Sequence, residues 1–175
     1  MEKEKDHRPI ILAAFALLAI VVVGVVLISR SGGDSGGGEE GSESAAKEIE
    51  ERGKPKVSVE KGAKPPTELV SNELVEGSGE EAKSGDEISV QYVGVDYKSG
   101  KEFDSSWSRN AEPFSFTLGK GEVIPGWDQG LEGMKVGGRR ELIIPPELAY
   151  GKAGSPPAIP PNETLVFVID LESVN

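Results

Sequence analysis

The chain has no cysteine and a single histidine, His7, among 175 residues. Without cysteine there is no disulfide framework, no thiolate nucleophile and no cysteine-based zinc site. His7 precedes a long apolar run, so the folded part of the chain has no imidazole to take a proton, which excludes Ser-His-Asp and Cys-His catalysis there. A surplus of positive charge is missing too: 19 Lys and Arg stand against 30 Asp and Glu, a formal net charge of −11. Clustered cations are what displace counterions from a phosphate backbone, so no nucleic-acid partner is expected. Aromatic residues make up only 6%. Any chemistry must therefore rest on carboxylates, hydroxyls, a few rings, or shape.

What is present is unevenly distributed. From Ile10 to Ile28 every residue is Ile, Leu, Val, Ala, Phe or Gly. A helix of that length spans about the 30 Å of a bilayer core. The apolar region of a signal peptide usually runs only about 7 to 15 residues and ends at a small-x-small cleavage site, which Ser29-Arg30-Ser31 fits weakly. A buried core helix is disfavoured because the run has no polar face. Residues 10–28 are thus read as an uncleaved transmembrane signal-anchor. Lys3, Lys5 and Arg8 precede it and Arg30 alone follows closely, so the positive-inside rule places residues 1–9 in the cytoplasm. The expectation is a single-pass cell-membrane protein whose folded domain is extracytoplasmic, or secreted if the anchor is cut. Residues 29–54 are rich in Gly, Ser and Glu and read as a flexible linker, with no more than a short helical turn from Ala45 to Arg52.

The folded domain is expected over residues 55–175. Val57 and Val59 alternate with polar neighbours and suggest a first edge strand before the break at Pro65 and Pro66. Ile88, Val90 and Tyr92 alternate on a second strand, Phe114, Phe116 and Leu118 on another, and Arg140, Leu142 and Ile144 on another. Leu165, Phe167, Ile169 and Leu171 then close the sheet at the C-terminus. From Pro125 to Met134 the period changes, because Trp127, Leu131 and Met134 are spaced i, i+4, i+7, one face of a helix started by a proline. A lone amphipathic helix among about five antiparallel strands buries its face only against one side of the sheet, an α+β arrangement.

Six short strings carry a sharper signal: YVG from Tyr92, FDSS from Phe103, PFSFTLG from Pro113, VIPGW from Val123, LAYG from Leu148 and LVF from Leu165. In this order and spacing, residues 68–175 resemble the FKBP family of macrolide-binding peptidyl-prolyl cis/trans isomerases, here in a membrane-anchored bacterial form. The resemblance implies an FKBP-like curved antiparallel sheet wrapped around one short helix. It also implies a pocket with Trp127 as floor and Phe103, Phe114 and Phe167 as walls. Tyr92, Phe103, Asp104, Tyr150 and Phe167 would take catalytic roles. Phe114, Val123, Ile124, Trp127 and Ile159 would bind substrate. The Ile124 N–H and the Tyr150 hydroxyl would donate to ligand carbonyls, and Asp104 would face the mouth. Ser155 stands where the best-known members often carry a histidine, and Ala158 where they often carry a larger aliphatic.

Single aromatic residues in small domains are more often core than ligand box. Here Phe116, Leu118, Leu142, Ile144, Leu165, Ile169 and Leu171 are enough to fill an interior, which leaves the other rings to line an opening. The implied partners are proline-containing polypeptides, macrolides such as tacrolimus or rapamycin, and the membrane through the N-terminal helix. No metal or organic cofactor is implied, and an isolated domain on a tether is expected to be a monomer. The alternative is a tethered FKBP-like chaperone or binding module with little turnover.

Overall fold

A computed structural model describes residues 39–60 and 62–175. The apolar run 10–28, the N-terminal tail and the linker up to residue 38 lie outside the described residues. Among the described residues no helix is long and apolar enough to cross a membrane.

The elements, in chain order, are α1 (Glu39–Arg52), β1 (Val70–Val75), β2 (Glu87–Asp96), β3 (Glu102–Ser105), β4 (Phe114–Thr117), α2 (Pro125–Gly130), β5 (Arg139–Ile144) and β6 (Leu165–Val174). They form one antiparallel six-stranded sheet of order β1-β5-β6-β2-β3, with β4 also paired to β2. The strands β3 and β4 occupy successive stretches of the same β2 edge, opposite residues 93–95 and 87–90. A 3-10 turn, Ser106–Arg109, interrupts that edge between them.

The alternation expected for β2 and β6 separates two faces. Ile88, Val90, Tyr92, Leu165, Phe167, Ile169 and Leu171 join the main core with Trp127, Leu131 and Met134. Val93, Val95 and Val166 form a second cluster from the opposite parity. The first face carries α2, and two glycines allow it to lie close. A Cβ on Gly126 would come 2.4 Å from Ile144, and one on Gly130 would come 2.7 Å from Leu142. Pro125 starts α2 after extended Ile124. The helix ends at Gly130, short of the expected Met134, because Gly133 adopts φ +76°. Leu131 and Met134 nevertheless stay buried, each 1% exposed, so the apolar face continues past the helix.

Two N-terminal segments differ from their sequence reading. Residues 39–52, assigned to a flexible linker from their composition, form α1 and dock on the other face of the sheet. Ile49 is 1% exposed, and Arg52 donates to the Gly137 carbonyl at 2.7 Å. The Arg52 guanidinium also lies 3.6 Å from Asp170. Tertiary contacts of this kind stabilise a helix that its own composition would not. The edge strand expected at Val57 and Val59 is absent. Alternate residues there are partly buried, but they pack on Val93, Val95 and Val166 rather than joining a ladder. Period two was read correctly, and its cause is packing across a face instead of pairing at an edge. The actual edge strand on that side is β1, paired to β5 from Val70 opposite Ile143.

Candidate active site

The sheet's α2 face ends in a group of rings drawn from five elements. Trp127 sits at the centre, with the Tyr92 ring 5.2 Å away at 79° and the Phe167 ring 5.2 Å away at 85°. Phe114 and Phe116 lie at 6.2 and 5.7 Å, and Phe103 meets Phe167 edge-on at 5.6 Å. Edge-to-face arrangements at these separations are favourable because positive ring edges meet negative ring faces. Tyr92, Trp127 and Phe167 are each 4% exposed, as is Ile159, while Phe103, Phe114, Val123 and Tyr150 are partly open around them. The buried Trp127 indole N–H has no acceptor among the described residues.

One strand position makes the ring geometry possible. Gly94 lies two residues beyond Tyr92 on the same side of β2, and a Cβ there would come 2.7 Å from Phe167 and 2.8 Å from Phe103. Both rings occupy the space a side chain would need, so the strand must leave it empty.

Polar groups converge at one side of the rings. The Tyr92 hydroxyl donates to Asp104 Oδ2 at 2.5 Å. Arg109 donates through Nη1 to Asp104 Oδ1 at 2.6 Å and through Nη2 to the Tyr92 oxygen at 2.7 Å. The Asp104 carboxylate also caps the Ser105 N–H at 2.8 Å. Burial pushes the Tyr92 hydroxyl well above its ordinary value, and the Asp104 carboxylate pushes it further against the pull of Arg109. Tyr150 is raised by burial and then by the charge on Asp104. For Arg109, burial works against the charge, yet its bonds to Tyr92 and Asp104 prevail and hold it more firmly protonated. Both hydroxyls are therefore neutral donors at physiological pH, and Asp104 is already bonded on both oxygens.

Two donors of residues in this cluster remain unused. The Tyr150 hydroxyl and the Ile124 N–H have no partner among the described residues. Tyr150 and Ile159 come from a loop closed on itself, with Ser155 and Ile159 exchanging backbone bonds of 2.8 and 2.9 Å. Nine of the ten residues expected at the site belong to the main core cluster, which also fills the interior of the domain, and Asp104 joins them through Tyr92.

Sequence reasoning missed Arg109, Gly94 and Phe116 as parts of the site. Gly94 was visible as the last letter of YVG. Arg109 carried no local signal, because only the 3-10 turn carries it back to Asp104 five residues earlier. That turn is fixed on β2 by Ser106, which accepts the Tyr92 N–H at 2.9 Å and donates to Gln91 Oε1 at 2.5 Å. Gln91 in turn donates to the Ala111 carbonyl at 2.7 Å. Among the described residues no group of three or more His, Asp or Glu is placed to hold a metal ion.

The family model for FKBP-type peptidyl-prolyl cis-trans isomerases matches residues 78–172. An FK506-binding protein of Streptomyces anulatus is 54% identical over 114 residues, covering 65% of this chain and 91% of that protein. An FK506-binding protein of Neisseria meningitidis is 48% identical over 106 residues, covering 61% of this chain and 95% of that protein. The crystal structure of AtFKBP13 superposes with a TM-score of 0.58 at 42% identity, over 63% of this chain and 96% of that one.

Proposed function

The chain belongs to the FKBP-type peptidyl-prolyl cis-trans isomerases, and from that premise we propose that its ring cluster turns X-Pro bonds of exported polypeptides without covalent or acid-base chemistry. The observation that carries the reading is Trp127 flanked by Tyr92 and Phe167 at 5.2 Å each. These form an apolar floor, and Tyr92, Asp104 and Arg109 beside it are already bonded to each other.

Rotation about an X-Pro bond passes through a twisted amide that has lost its resonance, over a barrier of about 20 kcal/mol. The twisted amide is less charge-separated than the planar one, so an apolar cavity disfavours the planar form more. A surface shaped to the turned proline adds binding energy realised mainly at the transition state. In this reading Phe103, Phe114 and Phe167 wall the proline ring above Trp127, with Val123 and Ile159 at the sides. The Ile124 N–H and the Tyr150 hydroxyl donate to substrate carbonyls. Asp104, held by Tyr92 and Arg109, sets the field at the mouth and transfers no proton.

The same site takes macrolides such as tacrolimus, in keeping with relatives named for FK506 binding. The apolar run 10–28 supports a membrane tether with the catalytic domain outside the cytoplasm, acting on exported chains whose folding waits on X-Pro steps. The test is the proline-limited refolding rate of a model protein with the full chain, with and without tacrolimus. Acceleration abolished by tacrolimus is the expected result. A folded protein that leaves the rate unchanged would replace catalysis with a binding module of the same fold.

A further inference from the structure

The α1 face of the sheet holds a cavity of about 570 Å³ that shares no lining residue with the ring cluster. One wall is α1, which presents Glu43, Lys47 and Glu50 at i, i+4 and i+7, a single helical face. The other wall is the segment after β3, with the indole of Trp107 and the pyrrolidine of Pro113. Gln91 of β2 and Glu172 of β6 form the floor.

Three carboxylates thus face one ammonium, and none of Glu43, Glu50 and Glu172 has an ion-pair partner among the described residues. The neighbouring Asp170 does not share its cations with Glu172, since Arg139 holds both its oxygens at 2.8 and 2.9 Å. Glu43 and Glu50 are exposed at the rim, while Glu172 is half-buried; a half-buried carboxylate without a counter-charge is costly, and a cation brought to it recovers part of that cost. Burial accordingly pushes the Glu172 carboxyl up, and the charge of Asp170 adds to it, although the Gln91 amide pulls the other way. The apolar walls suit the methylene stem of a long basic side chain, and an indole face attracts its charged head.

We propose that this cavity is a second binding site, taking a lysine or arginine side chain of a client polypeptide by charge complementarity with Glu43, Glu50 and Glu172. The identity of the occupant as a client rests on the isomerase reading, while the binding chemistry does not. A chain gripped here brings its prolines to the ring cluster at raised effective concentration. The Trp107–Pro113 wall belongs to the same segment that carries Arg109 to Asp104, so the two sites lie on opposite sides of one turn.

The experiment is a calorimetric titration of the full chain with a short proline-free peptide bearing two lysines among apolar residues. Expected are binding to the wild type, equal binding when the protein is saturated with tacrolimus, and affinity at least about tenfold lower for the triple variant E43Q/E50Q/E172Q. A peptide with norleucine in place of lysine is expected to bind at least tenfold more weakly as well. Displacement by tacrolimus, unchanged affinity of the triple variant or of the norleucine peptide, or no binding by the wild type would overturn the proposal. Failure of the isomerase reading would appear separately, as an unaltered refolding rate, and would leave this titration intact.

Discussion

The two faces of β6 carry the contrast that organises this protein. Leu165, Phe167, Ile169 and Leu171 point to the α2 side and join an apolar core. Their alternating neighbours Val166, Val168, Asp170 and Glu172 point to the α1 side, where Asp170 is fully buried between Arg139 and Arg52. On the α2 face the rings leave an apolar lining, the one proposed above to suit a neutral, twisted amide. On the α1 face, charges fix one segment on another, because a buried carboxylate accepts only a partner that brings its cation with it. One strand therefore supports both a site that depends on the absence of charge and a docking surface that depends on its presence.

The strongest test of this division is Asp170→Asn. It leaves Arg139, 13% exposed, without its paired acceptor, and the expected loss is about 3–5 kcal/mol of unfolding free energy in urea. Isomerase activity per folded molecule should stay within about twofold of wild type, and a parallel fall would show that the faces are not separable. Next comes Ile49→Ala. Because Ile49 is buried under α1, the change should cost about 2–3 kcal/mol. A variant as stable as wild type would return residues 39–52 to the status of a tether. On the other face, Gly94→Ala forces Phe167 and Phe103 apart, and kcat/KM should drop about tenfold, or about 1.4 kcal/mol. Unchanged turnover in that variant would remove the paired rings from the mechanism.

The smallest effect is a pH dependence. Burial holds the Glu172 carboxyl above its ordinary 4.5, so the folded state favours the protonated form. That contribution is fully present below 4.5 and is lost as the pH rises through the raised value. Glu172→Gln should accordingly melt above wild type at pH 7, with the gap closing as the pH falls below the ordinary value. A gap that stays constant from pH 4 to 7 would show that Glu172 is not strained by burial.

Much of the α2 face was legible before any coordinates. The alternation of β2, β4, β5 and β6 fixes which residues share a side, and Pro125 with the spacing of Trp127 and Leu131 marks the helix. The ring residues were legible through their strings, each with a fixed place in the order of strands. The α1 face was far less legible. Residues 39–52 are poor in apolar residues, and their helix depends on the burial of Ile49 and on Arg52 finding Gly137 and Asp170, more than eighty residues later. Val57 and Val59 displayed the right period for the wrong reason, since packing across a sheet produces the same alternation as pairing at its edge.

The sequence by itself determined the family and the α+β class and marked most of the rings that gather around Trp127, because these rest on periodicity and short strings that local geometry enforces. Only the tertiary structure decided that Arg109 closes on Asp104, that Gly94 must stay empty between two rings, and that α1 is part of the domain. Each of these depends on atoms distant along the chain or turned back by a 3-10 turn. Local propensity carries no record of what such atoms will meet, and burial alone decides whether a charge or a vacant Cβ position there is tolerated.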